Sequence, residues 1–341
     1  MLQKNYNMNH YKILKNQQFK IGDFSIVPIR YEDRDEIMIW RNEQIYHLRQ
    51  SKPLTKEDQD NYFNTIVSKL FDETSPKQLL FSFLEKDECI GYGGLVHINW
   101  IDKHAEISFI MNTKLERDNF EKYWSAYLNL IKQLAFNELC LHKIFTYAFD
   151  IRPHLYNVLE KNDFTKEVQL KEHCRFNGEY KDVVIHSLIN KIHLRPINLG
   201  DLNLTYEWAI NPTIRKYSFN QGTIVFEEHK NWFEKKINDK NTYYYIITNH
   251  LNNPLGSVRI DKDESNICTI SYLIDEKYHG NNYGLISLRL IEKEIINKLQ
   301  NFTLIGLVQE ENIASIKIFR KLNYKETFNQ NTYSFSKKYE N

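Results

Sequence analysis

The run Ser271-Tyr272-Leu273-Ile274-Asp275-Glu276-Lys277-Tyr278-His279-Gly280-Asn281-Asn282-Tyr283-Gly284 holds the pattern that decides the fold. Its β-branched and aromatic start reads as a strand, its middle as a small-residue turn. Leu288, Ile291, Ile295 and Leu299 then recur at spacings of three and four, the period of a long amphipathic helix. A strand that reaches a helix N-terminus through such a turn aims free backbone N–H groups and the positive helix end at one spot. Holding a pyrophosphate requires that arrangement, and Gly280 and Gly284 let a phosphate approach the backbone. Taken alone, the same pattern also describes an ordinary turn.

Working outward, the chain carries one order of features twice. FSIVPIR (24–30) precedes a helical stretch with Trp40-Arg41-Asn42, and IHLRPI (192–197) precedes Trp208-Ala209-Ile210-Asn211. Leu54-Thr55-Lys56-Glu57-Asp58 and Thr223-Ile224-Val225-Phe226-Glu227-Glu228 follow, a hydroxyl and then acids, which reads as a helix start. Three strand-like runs come next in each half: LLFSFLE, CIGYGGLVHI and AEISFIM, then YYYIIT, PLGSVRI and CTISYLI. A long helix follows each third strand, with Tyr127, Leu130 and Leu134 giving the period in the first half. KIFTYAF and FTLIGLV are the next strands, and a shorter helix and final strands close each half. Asn177-Gly178 reads as a two-residue hairpin turn. The expected fold is α/β with a mixed sheet flanked by helices, built twice: a lead-in over 1–21, one domain over 22–190 and a second over 191–341.

Composition agrees with this. At roughly 150 residues per domain, 341 residues suggest two. Lys and Arg exceed Asp and Glu by 45 − 44 = 1, so no general field favours nucleic acid or acidic membranes. Mean hydropathy is −0.57, and no apolar run reaches the length of about 18 needed to span a bilayer. The first twenty residues lack the apolar stretch of a secretory signal and read as a partly disordered lead-in. Cys89, Cys140, Cys174 and Cys268 are widely spaced with no CxxC pair, so neither a disulfide framework nor a zinc site is expected and a buried apolar role is. A soluble cytoplasmic protein without metal is the expectation, with a homodimer left open.

A second segment, Val308-Gln309-Glu310-Glu311-Asn312-Ile313-Ala314-Ser315-Ile316-Lys317-Ile318-Phe319-Arg320-Lys321-Leu322-Asn323-Tyr324, adds a strand, an Asn, a helix and a KLNY ending. Together the two segments resemble the GNAT acyltransferase superfamily. The resemblance implies that the turn His279, Gly280, Asn281, Asn282, Tyr283, Gly284 holds the pyrophosphate of acyl-CoA. His279 and Asn282 depart from the family's Gln/Arg and inner Gly. It also implies that Asn312, with Ser315, meets the pantetheine arm, and that backbone N–H of Leu273 or Ile274 stabilises the oxyanion. The family's usual Tyr acid falls on Phe319, also part of the implied cofactor site, so no side-chain acid is expected. A thiol of ordinary pKa near 8.5 and an amine near 8 allow a water relay instead, and no side-chain base is assigned.

The phrase Trp208…Asn211…Ile214-Arg215…Thr223…Glu228-His229…Trp232-Phe233 resembles bacterial enzymes that acylate amino groups of nucleotide-linked sugars. The tandem arrangement resembles N-acyltransferases for a dTDP-linked 3-amino-3,6-dideoxyhexose. That resemblance implies acetyl-CoA or a short hydroxyacyl-CoA as donor and a role in lipopolysaccharide O-antigen biosynthesis. Arg41, Asn42, Trp208, Asn211, Arg215 and His229 are candidate substrate contacts, each with a structural reading beside it: helix ties for Arg41, Asn42, Asn211 and Arg215, core packing for Trp208 and a half-exposed helix position for His229. In the first half the turn becomes Leu115-Glu116-Arg117-Asp118-Asn119-Phe120-Glu121, whose acids would repel a diphosphate. The Asn312 position becomes Asp150-Ile151-Arg152. Acyl-CoA is therefore expected in the second domain alone, with the first a scaffold and substrate wall. Two alternatives stay open: protein N-terminal acetylation, and a ligand-binding protein that kept the fold without turnover.

Overall fold

A computed structural model describes residues 10–48 and 50–340. The chain divides into two units, Met1–Asn190 and Lys191–Asn341. The first is built on an eight-stranded sheet in the order β1-β2-β3-β4-β5-β6-β8-β7. Its strands are β1 (Phe19–Ile21), β2 (Phe24–Pro28), β3 (Leu79–Glu85), β4 (Glu88–Asn99), β5 (His104–Met111), β6 (Lys143–Phe149), β7 (Thr165–Phe176) and β8 (Glu179–Ile189). Helices α1 (Arg34–Glu43) and α2 (Lys56–Tyr62) follow β2, and α2 runs through a wider turn into α3 (Ser68–Leu70). Thr55 caps α2 reciprocally with Asp58, as the hydroxyl-then-acid reading anticipated. The long α4 (Thr113–Lys132) joins β5 to β6, and α5 (Pro153–Lys161) joins β6 to β7. Tyr127 and Leu130 of α4 and Leu134 just beyond it are fully buried.

The second unit has seven strands in the order β14-β15-β13-β12-β11-β10-β9. They are β9 (His193–Pro196), β10 (Thr242–Thr248), β11 (Pro254–Lys262), β12 (Ile267–Ile274), β13 (Phe302–Gln309), β14 (Lys325–Asn329) and β15 (Thr332–Tyr339). Its helices are α6 (Leu202–Ile210), α7 (Pro212–Arg215), α8 (Phe226–Asn238), α9 (Tyr283–Ile296) and α10 (Ile313–Lys321). In each sheet the pairing is antiparallel except at one place, β5 with β6 and β12 with β13.

Several local expectations need correction. Residues 10–21 are packed, not a loose lead-in: Tyr11 is fully buried, and its hydroxyl donates to the carbonyl of Leu80 and accepts from its N–H. The rest of that segment, residues 1–9, lies outside the described residues. Helix α8 is capped at Val225 without a side-chain bond, so Thr223 lies before the cap and Glu227 and Glu228 alone complement the first turn. Leu299 falls beyond α9. Of the cysteines, all free, only Cys268 is buried. The Asn177-Gly178 hairpin forms with φ of 48° and 87°, both in the region a tight hairpin turn needs. Among the described residues no helix is long and apolar enough to cross a membrane.

Candidate active site

In the second unit β12 and β13 begin side by side and then part. Parallel pairing runs from Ile267 with Thr303 to Ile270 with Gly306 and goes no further. Beyond it, Ser271–Ile274 stay paired with β11, and Leu307–Gln309 stay paired with β15. The Phe319 ring packs against Gly306 at the point of parting: a Cβ there would run into Phe319 Cζ. The parting frees the outer edge of β12. Asp275 N donates to Leu255 on β11, and strand alternation places the Leu273 amide on that same edge and the Ile274 amide on the opposite one. The Ile274 carbonyl, on the gap side, accepts from His279 Nε2 at 2.9 Å.

The chain then turns through Asp275, whose side chain accepts from Lys277 N, and through Gly280 and Asn282, with φ of 80° and 60°. Asn282 caps α9 in a left-handed conformation, and its side chain makes no cap bond to the leading amides of the helix. The N–H groups of Gly284 and Leu285 are thereby left for an outside acceptor. The cavity in front of them is about 600 Å³ and is bounded by Tyr272–Ile274, the 278–285 turn and α10. On α10, Asn312 Oδ1 accepts from Ser315 N, which leaves its Nδ2 as a donor with no partner among the described residues. A second cavity of about 480 Å³, lined by His229, Trp232, Tyr244 and Arg259, shares Tyr272 and Leu273 with the first. One strand is all that separates the two.

Tyr272 closes this wall chemically as well. Its hydroxyl lies 2.8 Å from Ser315 Oγ, and burial pushes its pKa up to about 12 against that hydrogen bond. It is therefore a protonated donor at neutral pH. Burial also lowers the pKa of His229, whose Nε2 lies 3.0 Å from Thr205 Oγ1. Arg259 pairs with Asp261 at 2.8 Å and lies 4.9 Å from the centre of the Trp232 ring.

The first unit repeats the parting, but side chains close the head of the helix that follows it. There β5 and β6 pair only from His104–Glu106 to Lys143–Phe145. At the head of α4, Asn112 Oδ1 accepts from Lys114 N and Leu115 N. Glu116, 7 % exposed, takes a charge-assisted bond from Arg152 Nη2 and a second bond from Trp124 Nε1. Phe120 stacks on Trp124 beside it. The head of α4 is thus closed by Asn112, and the Glu116 carboxylate that follows is already paired.

Two family models, each described as an acetyltransferase (GNAT) domain, match residues 26–185 and 191–325. The chain belongs to the GNAT acetyltransferase superfamily. An uncharacterized protein of Methanocaldococcus jannaschii is 23% identical over 335 residues, covering 93% of this chain and 67% of that protein. Among solved structures, a domain from M. jannaschii is 28% identical and covers 44% of this chain and 99% of its own, with a TM-score of 0.40. A spermidine N-acetyltransferase from Vibrio cholerae in complex with CoA and spermine is 19% identical and covers 49% of this chain and 95% of its own, with a TM-score of 0.44.

Against the GNAT pattern, the sequence-predicted residues sort into two groups. Leu273, Ile274, His279, Gly280, Asn282, Tyr283, Gly284, Asn312 and Ser315 meet at the larger cavity of the second unit, and His229 reaches the smaller one. His229 is buried, not half-exposed. Gly284 also packs closely on α10: a Cβ there would meet the end of the Ile318 side chain, Cδ1, at 2.9 Å. The others have structural partners. Asn281 Nδ2 donates to the carbonyls of Tyr278 and His279. Phe319 is buried and stacks on Phe335. Trp208 is buried and donates its indole N–H to Asp275. Asn211 caps α7, and Arg215 Nη2 donates to the Asn220 carbonyl. In the first unit Asn42 ties α1 to Leu54 through both its amide atoms, while Arg41 lines a cavity of its own. Sequence reading missed Tyr272 and the pair Lys317 and Lys321, which also line the larger cavity. Their i, i+4 spacing on a helix starting at Asn312 was the available signal. Among the described residues no cluster could hold a metal ion.

Proposed function

We propose that the second unit transfers an acyl group from coenzyme A to the amino group of a nucleotide-linked amino sugar of the dTDP-3-amino-3,6-dideoxyhexose type. The observation that carries this reading is the wall shared by the two cavities: Tyr272 and Leu273 face both, so a thioester on one side and an amine on the other meet across one strand. The uncapped amides of α9, helped by Lys317 and Lys321, suit the diphosphate, and Asn312 Nδ2 suits the amide-bearing arm. Trp232 and Tyr244 supply ring faces for a sugar or base, and Arg259 a guanidinium for its phosphates. The first unit, with Glu116 and Arg152 paired in the anion position, takes no acyl-CoA.

The chemistry needs little from side chains. The neutral amine attacks the thioester carbonyl, and the Ile274 N–H donates to the oxygen as it becomes anionic. Collapse of the tetrahedral adduct breaks the C–S bond. Tyr272 gives its proton to the departing sulfur and recovers one from the new ammonium through Ser315 and water, so charge and protons balance. This supplies, from a strand, the hydroxyl absent from position 319.

The test is incubation with acetyl-CoA and a 3-hydroxyacyl-CoA against amino-sugar nucleotides, spermidine and a peptide with a free N-terminus, reading free thiol and product mass. Thiol release coupled to an acylated sugar nucleotide is expected. Preference for spermidine or the peptide overturns the acceptor assignment, and no thiol release with any amine overturns the activity.

A further inference from the structure

The smaller cavity of the second unit holds a histidine that the acyl transfer described so far leaves idle. His229 is 5 % exposed and lies inside a cluster of rings, with the centres of Trp232, Tyr206 and Phe233 at 5.4, 5.6 and 6.2 Å. Packed on several sides, the imidazole keeps one orientation. Its two nitrogens therefore have fixed and different surroundings.

Thr205 decides which nitrogen carries the proton. Its Oγ1 stands 3.0 Å from the Leu202 carbonyl and 3.0 Å from His229 Nε2. A hydroxyl has one hydrogen and a carbonyl only accepts, so the hydrogen goes to Leu202 and Oγ1 accepts from Nε2–H. The opposite tautomer would set two oxygen lone pairs against each other at Leu202 and leave an Nδ1–H without an acceptor among the described residues. Nδ1 thus bears the lone pair. It has no partner among the described residues, and it is not sealed off as the Nδ1 atoms of His104 and His186 are. The ring lines the same cavity as Tyr272 and Leu273, so this lone pair opens towards the wall that the two cavities share. Burial lowers the pKa of the ring, which keeps it an unprotonated base at neutral pH.

We infer that His229 is the general base of the second unit: its Nδ1 takes the proton that the attacking amine gives up. The inference rests on the acyl-transfer reading and deepens it. As the nitrogen bonds to the thioester carbon, one N–H proton moves to Nδ1. As the C–S bond breaks, the Tyr272 proton goes to sulfur. The imidazolium then returns its proton through water and Ser315 to the Tyr272 oxygen, so both groups end as they began. Thr205 is a positioning residue, because it holds the tautomer that leaves Nδ1 free.

The experiment is steady-state thiol release by the full chain from acetyl-CoA, with whichever amine of the same panel is acylated, so that a change of acceptor leaves the test intact. H229Q should lower kcat about 10²-fold. KM for acetyl-CoA should stay near the parent value, since His229 lines the other cavity. The parent rate should fall below about pH 6.5 as the ring is protonated, and H229Q should lose that fall. The other titratable and charged groups around the ring are Glu228 on its own helix, Tyr206 on α6, Tyr244 on β10, Arg259 on β11 and Tyr272 on β12. Of these only the Glu228 carboxylate can gain a proton in acid, and E228Q should keep the fall. T205V retains the imidazole but frees its tautomer and should lower kcat about fivefold to tenfold; it decides the matter if H229Q does not fold. A folded H229Q within about twofold of the parent, an acid fall that survives in H229Q or vanishes in E228Q, or T205V at the parent rate overturns the base and leaves acyl transfer standing. No thiol release with any amine overturns both.

Discussion

Tyr272 sits on β12 with a cavity on each side, and its hydroxyl leans on Ser315 of α10, 43 residues further along the chain. Because burial keeps it protonated, Y272F should lower kcat by about 10² while leaving KM for acyl-CoA near its parent value. Steady-state kinetics checks this, and a kcat within twofold of the parent would remove Tyr272 from the reaction. The role was not legible in one dimension. The motif places a hydroxyl at 319, and only folding reveals that Phe319 fills the space under Gly306 while the hydroxyl of a strand tyrosine meets Ser315 beside the cavity. Asn312 and Ser315, by contrast, could be read directly, because one helix cap sets both. His47 gives a second residue-scale expectation, about stability. Its folded pKa of about 3 lies below the ordinary value near 6.5, so protonation favours the unfolded chain. Its contribution is complete above about pH 6.5 and falls away as pH drops towards 3, by at most about 1.4 kcal/mol per pH unit. Urea midpoints at about pH 7 and pH 5 should therefore differ less in H47Q than in the parent; an unchanged difference would show that other groups set the acid response.

At the scale of elements, the parting of β12 from β13 makes the site, and Gly306 with Phe319 holds it. A methyl group at 306 would run into the Phe319 ring, itself stacked on Phe335 at 5.0 Å. G306A should cost about 1–3 kcal/mol of stability and raise KM for acyl-CoA, because α10 must shift to make room. Thermal unfolding with a coenzyme titration checks both. The strands and helices themselves were legible, since alternation and three-four spacing follow from which face meets the core: Leu288, Ile291 and Ile295 are all fully buried. The place where pairing stops was not. Strand residues on either side of Ile270 look alike, and the divergence is decided by a ring arriving from another helix. Caps were legible where a side chain makes them, as at Thr55, and misread where the backbone alone suffices, as at Val225.

At the scale of the whole molecule, one architecture was built twice, and the heads of its two long helices differ: Asn112 caps α4 with its side chain, and Asn282 does not cap α9 so. Calorimetry should find one acetyl-CoA per chain, lost in N312A and kept in D150A. Two equivalents, or equal loss in both variants, would mean that the Glu116 and Arg152 pair does not keep the first unit empty of coenzyme. The duplication could be read because repeated phrases keep their order. The acids of the first unit's turn could be read, yet the partner of Glu116, Arg152, lies beyond β6 and needed the fold. Tyr11 carries a practical consequence. Laboratories that trim a gene to its visible repeat would begin near residue 22 and discard it. Leu80 would then keep its amide in the interior with nothing to bond, while its carbonyl falls back on the Ile29 N–H alone, at roughly 1–3 kcal/mol for the stranded amide. Poor yield from such a shortened polypeptide would reflect the missing tyrosine clasp and say nothing against the domain boundary.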